Sequence, residues 1–336
     1  MRAIVASLSG TSSESLTLSR VPSPKPGPHE VLITVAAAGV NRADLLQAQG
    51  LYPPPPGASN ILGLEVSGTV TAKGAEVSNF HLGDQVVALV DSGGYADKVV
   101  APAAQVLPLP KGVDLVEAAS IMEAACTVWS NLHDVARLRP GQTVLIHGGS
   151  GGVGSFAIQM AKNFGVQVIA TARTTERAER CRQLGADFAF AYGEYQSDHG
   201  DTFATRLPAL VGAVTQDRGA DVILDVTGAS LLQANLDASA VGGRLVVIGM
   251  QRGAKANIDL STLLMKRASL HGTTLRSRPA EEKARIVAAV RELIWPALSA
   301  HEISPVVHAH FPLGQAQAAH DLLNTGEVFG KVLLIP

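Results

Sequence analysis

Thr143-Val144-Leu145-Ile146 runs into Gly148-Gly149-Ser150-Gly151-Gly152-Val153-Gly154, and Ser155-Phe156-Ala157-Ile158-Gln159-Met160-Ala161 follows. The first four residues are an apolar, β-prone run, and the last seven have helical periodicity. Gly149, Gly151 and Gly154 match G-x-G-x-x-G between a strand and a helix, the context that gives this common triplet its meaning. In that setting the first glycine permits a tight turn, the second lets backbone N–H groups approach a pyrophosphate, and the third lets helix and strand pack closely. The helix N-terminus adds partial positive charge. A Walker A loop needs Lys after its last glycine, and Ser155 stands there instead. The bland alternative is a glycine-rich turn with no ligand.

Downstream the pattern alternates. Residues 166–172, 188–192, 221–225 and 244–249 read as strands, and 176–184, 203–214 and 230–238 as helices. Such βαβ alternation predicts a parallel, doubly wound sheet. A short helix at 260–266 and a last strand at 268–274 complete it. Residues 117–135, just upstream, have helical period throughout.

The second strand shows which dinucleotide is expected. In NAD-binding domains an acidic residue ends that strand and bonds the ribose 2′-hydroxyl. Here it ends Ile169-Ala170-Thr171-Ala172-Arg173, without a carboxylate, and Arg177 and Tyr192 lie close by in the pattern. A guanidinium forks onto phosphate, and a cation at a helix start opposes the helix dipole unless an anion joins it. NADPH is therefore expected over NADH, with two solvated surface arginines as the alternative.

Residues 2 to about 110 read as β structure, with runs at 3–8, 31–36, 63–72, 85–90 and 98–101 punctuated by Gly and Pro. One short helix interrupts them at 42–47, with Asn41 as its cap and Asp44 near the capping-box position. Tyr52-Pro53-Pro54-Pro55-Pro56-Gly57 makes a rigid loop after it. At the other end, a helix at 281–298 bent at Pro296, a strand at 306–311, a helix at 314–323 and a strand at 331–335 do not continue the doubly wound pattern. They are expected to return to the N-terminal domain.

The 336 residues suffice for two domains, and 46% apolar content with 4% aromatics suits a globular α/β protein. A net charge of −2 leaves no electrostatic footprint for nucleic acid or an anionic membrane. Two cysteines, Cys126 and Cys181, make no disulfide framework and fit a reducing cytoplasm. No apolar run is long enough to span a bilayer, and the apolar start at Met1 is too short for a signal peptide.

Val40-Asn41-Arg42-Ala43-Asp44, Gln49-Gly50-Leu51-Tyr52 and Ile61-Leu62-Gly63-Leu64-Glu65-Val66-Ser67-Gly68, with the glycine loop and the closing Gly330-Lys331, give the chain a family likeness over essentially its whole length. It resembles the zinc-free NADPH:quinone oxidoreductase branch of the medium-chain dehydrogenase/reductase superfamily. That resemblance implies a GroES-like β-rich domain, residues 1–120 and 276–336, and an inserted Rossmann domain, residues 121–275, with the family's cleft between them. It implies that Asn41, Asp44 and Tyr52 line the nicotinamide and substrate pocket as catalytic residues, Asn41 also touching the cofactor. Thr127 would lie beside the nicotinamide ribose. Gly149, Gly151, Gly152, Val153 and Gly154 would form the pyrophosphate turn, and Arg173, Arg177 and Tyr192 the 2′-phosphate site. Gly249 and Met250 would lie beside the nicotinamide, and Lys331 near the adenosine end. The family also implies a homodimer, paired through an open sheet edge at the 268–274 strand.

The departures bear on metal. The superfamily's zinc enzymes carry a catalytic Cys in the Asn41 region and a His before Glu65. Here Leu64 precedes Glu65, the third ligand position falls near Glu123, and two cysteines cannot supply a structural zinc lobe. No metal is expected. Cys126 lacks a readable His/Asn partner for nucleophilic work.

The leading expectation is NADPH-dependent reduction of a small-molecule quinone or similar conjugated carbonyl, with Asn41 or Tyr52 donating to the oxygen that gains charge. Ortho-quinones with fused rings are expected because Ala36-Ala37-Ala38-Gly39 would leave room near the nicotinamide. The alternatives are an enone, alkenal or enoyl-thioester reductase, and an NADPH-binding sensor or RNA-binding protein without catalysis.

Overall fold

The computed structural model describes residues 1–6, 16–195 and 202–336. Its strands, in chain order, are β1 (Arg2–Ala6), β2 (Leu16–Arg20), β3 (Glu30–Val40), β4 (Glu65–Lys73), β5 (Gln85–Leu89), β6 (Lys98–Pro102), β7 (Val106–Pro108), β8 (Thr143–Ile146), β9 (Gln167–Ala172), β10 (Phe188–Ala191), β11 (Ala220–Asp225), β12 (Ser239–Val247), β13 (Ser269–Gly272), β14 (Val307–Pro312) and β15 (Lys331–Ile335). Ser7 and Leu8, the end of the expected first strand, lie outside the described residues.

Two compact units emerge, Met1–Cys126 with Leu275–Pro336, and Thr127–Thr274. The divisions fall six residues later and one residue earlier than the 120/121 and 275/276 expectation.

In the second unit the strands run β10-β9-β8-β11-β12-β13, every neighbour parallel. Renumbered from β8, this is the order 3-2-1-4-5-6 of a dinucleotide-binding sheet, whose ligand crevice lies at the strands' carboxyl ends where the winding reverses. Val144, Leu145 and Ile146 are fully buried, as a strand covered on both faces requires. The glycine turn differs from expectation in detail. Gly148, one residue before the triplet, takes the left-handed conformation, at φ 68°. The helix starts at Gly152 and runs to Asn163.

In the first unit β3 is the hub. It pairs antiparallel with β4, β6 and β15, and β14 joins β15 in parallel. Its eleven residues allow this, because β15 takes residues 38–40 and β6 takes 30–34. The C-terminal segment thus completes the N-terminal sheet. β2 and β7 were not anticipated. The helical run across 117–135 is three pieces, a 3-10 turn at Glu117–Ser120, an α-helix at Met122–Trp129 and a π-helical turn at Ser130–Val135. In that last piece the Asn131 amide donates to the Thr127 carbonyl at 2.7 Å.

Candidate active site

Four elements of the first unit bring buried charges together. β3 ends at Val40, and Asn41 caps the helix Arg42–Ala48. Glu65 opens β4, Glu123 sits in the first turn of Met122–Trp129, and Lys331 opens β15.

Glu65 is fully buried. Its Oε1 accepts from Asn41 Nδ2 at 3.0 Å and from Lys331 Nζ, and its Oε2 accepts from the Glu123 backbone N–H at 3.0 Å. Lys331 Nζ also donates to Asn41 Oδ1 at 2.6 Å. A buried carboxylate is tolerable when paired and fully hydrogen-bonded in this way. Gly39 makes the approach possible. A Cβ there would lie 2.4 Å from Glu65 Oε1 and 2.7 Å from the Ala119 carbonyl oxygen. The small run at 36–39 therefore admits Glu65, while Ala37 packs against Ala119 and Leu333 in the core. At Gly39 the missing side chain thus makes room for Glu65.

Asp44 is also fully buried. It accepts from the Asn41 N–H at 2.8 Å, the Gly63 N–H at 3.1 Å and the Tyr95 hydroxyl at 3.1 Å, and Tyr95 in turn meets His320 Nε2 at 3.1 Å. Burial raises the Asp44 pKa to about 6, although these donors hold it down. Burial lowers that of His320 to about 4, so its ring is neutral near pH 7. A carboxyl with no exposure touches no substrate. Asp44 acts by fixing Asn41 and Tyr95.

Asn41 needs a similar correction. Its amide N–H groups go to Glu65 and, at 3.4 Å, to the Gly39 carbonyl, so none remains for a substrate oxygen. Lys331 is only 6% exposed and neutralises Glu65 from inside the unit. It does not present its ammonium to a cofactor phosphate, as the expected adenosine contact would require.

Tyr52 keeps a donor in reserve. It is half-buried, and among the described residues its hydroxyl has no hydrogen-bond partner. The Arg276 guanidinium lies 5.5 Å from its ring centroid and donates to its backbone carbonyl at 3.4 Å. Arg276 is itself anchored on the Asp91 carbonyl at 2.6 Å and Gln47 Oε1 at 2.8 Å. Burial and then the charge of Glu123 raise the Tyr52 pKa.

Glu123 is a candidate site residue that sequence reading missed, having appeared there only as a vacant ligand position. Its carboxyl makes no side-chain hydrogen bond among the described residues. Burial, then repulsion from Glu65 and Asp44, outweighs attraction to Lys331 and Arg276 and raises its pKa from 4.5 to about 8. At neutral pH it holds a proton. Cys126 beside it is buried, with a pKa pushed well up by burial, and is no nucleophile.

The donor set also speaks to metal. Leu64 has no donor atom, and Glu65 is already matched by an ammonium that would repel a divalent cation. Among the described residues no three His, Cys, Asp or Glu side chains converge as a cation site.

In the second unit, Gly151 caps the helix Gly152–Asn163, whose first-turn N–H groups at Gly152, Val153 and Gly154 have no intrahelical acceptor. A Cβ on Gly154 would lie 2.1 Å from the Gly148 carbonyl oxygen. Beneath the turn is a buried network that sequence reading did not find. His147 Nδ1 meets Thr171 Oγ1 at 3.0 Å and Nε2 meets Asn235 Oδ1 at 2.7 Å, while Asn235 Nδ2 reaches Asp225 at 3.3 Å. Asp225 in turn accepts from the Thr227 and Gly228 N–H groups. It ties the glycine turn to the loop after β11. Arg173 follows β9, and its carbonyl accepts from Gly193 N–H at 2.9 Å, next to Tyr192. Arg177 lies in the first turn of Thr175–Gln183, where its N–H donates to the cap residue Thr174 at 3.4 Å. Gly249 packs against Val226, Met250 is 63% exposed, and the Thr127 carbonyl holds Asn131.

Residues 27–111 match the family described as alcohol dehydrogenase GroES-like domain, and residues 152–292 that described as zinc-binding dehydrogenase. A quinone oxidoreductase of Lama guanicoe is 33% identical over 340 residues, covering 100% of this chain and 97% of that one. The chain belongs to the medium-chain dehydrogenase/reductase superfamily. Relatives within it that match over nearly their whole length include quinone oxidoreductases. The quinone oxidoreductase of Thermus thermophilus, solved alone and with NADPH, superposes with a TM-score of 0.82 at 30% identity and full coverage of both chains. A mycocerosic acid synthase-like polyketide synthase of Mycobacterium tuberculosis is 32% identical over 326 residues, and the chain spans about 15% of its length.

Proposed function

We propose that this chain is a zinc-independent, NADPH-dependent quinone reductase, ortho-quinones among its acceptors. The observation that carries the reading is a pair of unspent donors, the Tyr52 hydroxyl and the protonated Glu123 carboxyl, beside a cluster in which Asn41, Asp44, Glu65 and Lys331 occupy one another.

The glycine turn fits a dinucleotide, with three free N–H groups and no Cβ at the tightest approach. Gly149, Gly151, Gly152, Val153 and Gly154 would hold the pyrophosphate, Arg173, Arg177 and Tyr192 the 2′-phosphate, and Thr127, Gly249 and Met250 the nicotinamide side. Bound there, NADPH supplies a hydride. The chain's own residues supply orientation and a proton. Tyr52 donates a hydrogen bond to the acceptor oxygen that gains charge, and Arg276 beneath its ring holds it in place. Glu123 carries the proton that converts the reduced quinone anion to hydroquinone. Asn41, Asp44, Glu65 and Lys331 hold these groups rigidly. Tyr52→Phe removes one hydroxyl and keeps the ring on Arg276. It is expected to lower kcat about tenfold with little change in NADPH affinity. An unchanged kcat would remove Tyr52 from the chemistry.

Similarity to a stretch of a polyketide synthase favours a second reading, reduction of a conjugated thioester or enone by the same hydride and proton. A homodimer is proposed on the β13 edge, which among the described residues pairs only with β12. Leu264 at 75% and Met265 at 81% exposure, in the preceding helix Leu260–Met265, add apolar surface that a second copy would cover. Sedimentation at micromolar concentration should give twice the chain mass, and a clean monomer would refute it.

A further inference from the structure

Arg252 lies in the loop after β12, far along the sheet from β10, yet its guanidinium carbon sits 5.0 Å from the Tyr192 ring centroid. The loop is fixed on the β11 side. Arg252 N–H donates to the Thr227 carbonyl at 2.8 Å, Gln251 N–H to Val226 at 3.2 Å, and Ala229 N–H to Gly253 at 2.9 Å. Tyr192 follows β10 at the opposite side. In the order β10-β9-β8-β11, three interstrand spacings separate these anchor points, about 14 Å. The ends of β9 and β8, carrying Arg173 and the Gly148–Gly154 turn, lie between them. The contact therefore straps the carboxyl edge of the sheet across its switch point, where a dinucleotide binds.

We propose that Arg252 is a latch on the cofactor site, resting on Tyr192 in the free protein and passing to the 2′-phosphate when NADPH binds. The inference rests on the NADPH reading given above. A guanidinium is free to make that exchange. The exposed contact with an aromatic face is weak, whereas an Arg–phosphate pair is bidentate and charge-assisted. Tyr192 stays under both partners, so the transfer needs a side-chain rotation and no movement of the anchored loop. Sequence alone gave no sign of it, because Arg252 is sixty residues from Tyr192 and outside the glycine motif.

The test is binding, without turnover. Dissociation constants for NADPH and NADH are measured by calorimetry on the wild type, Arg252→Ala and Arg252→Lys, with 2′,5′-ADP against 5′-ADP as probes of the phosphate alone. The NADH to NADPH ratio of dissociation constants is expected to fall about tenfold in Arg252→Ala, with NADH and 5′-ADP nearly unchanged, and to be partly kept in Arg252→Lys. An unchanged ratio, or equal weakening of both dinucleotides, would overturn the latch. A wild-type ratio near one would instead overturn the NADPH reading on which it stands, and the latch with it.

Discussion

Lys331→Met should lower the melting temperature by roughly 10 °C. The substitution keeps the length of the side chain and deletes the charge that faces Glu65, which is fully buried. Removing one partner of such a pair typically costs about 3–5 kcal/mol, because the other charge is left without compensation. For a chain of this size each kcal/mol moves the transition by about 2–4 °C. Asn41 and the Glu123 N–H would still donate to Glu65, so the lower half of the range is the firmer expectation. Adding Glu65→Leu removes the stranded charge and should recover most of the loss, since a well-packed apolar replacement is often neutral. The pair of variants separates an ion-pair effect from a packing defect. A single variant that melts within a degree of the wild type would show that the cluster does not hold the unit together.

The second large effect falls on Glu123→Gln, and stability and activity should move in opposite directions. The folded-state pKa of about 8 lies above the ordinary 4.5, so ionisation weakens the fold. The penalty is absent below about pH 4.5, grows as the pH rises and is complete above about 8. At about 1.4 kcal/mol per pKa unit its upper bound is roughly 5 kcal/mol. Glutamine cannot ionise, so the variant should match the wild type at pH 4 and be more stable at pH 9. Wild-type kcat should fall as the pH passes about 8, where Glu123 loses its proton. The variant should lack that inflection and turn over at least tenfold more slowly at pH 7. Glu65, Asp44, Lys331, Arg276, Tyr52 and Cys126 are the charged or titratable groups near this carboxyl. Of these, Tyr52 and Cys126 titrate only at higher pH, and Asp44 titrates near 6. An unchanged pH profile in the variant would assign the proton to another donor.

The parts of this protein written in local pattern were legible before any coordinates. Thr143–Ile146 and Lys331–Ile335 are strands from end to end as read, because each is an apolar run bounded by residues that cannot continue it. The parallel, doubly wound sheet follows from the alternation, and its strand order came only with the fold. What escaped was non-local. Glu65 and Lys331 are 266 residues apart, and nothing in the period of either strand announces that they meet. Asn41 looked like a substrate contact because its spacing to Asp44 and Tyr52 is local, while the partners that occupy its amide are distant. Ala36-Ala37-Ala38-Gly39 was read as room for an acceptor, and at Gly39 the missing side chain makes room for a carboxylate twenty-six residues downstream. Glu123 was visible only as a missing zinc ligand. It keeps its proton because of burial and of carboxylates on β4 and the helix after β3, which only the fold assembles. The glycine turn was found, but its left-handed residue, Gly148, lies outside the G-x-G-x-x-G triplet.

The most direct test of the account is NADPH consumption, followed at 340 nm with metal-free enzyme, across paired ortho- and para-quinones, enones and an enoyl thioester, with product analysis. The account predicts turnover of quinones to hydroquinones, with a strong preference for NADPH over NADH and no response to added zinc. Tight NADPH binding with turnover of enones or thioesters alone would contradict it in favour of the conjugated-thioester reading. Tight binding with no turnover of any acceptor would contradict catalysis altogether.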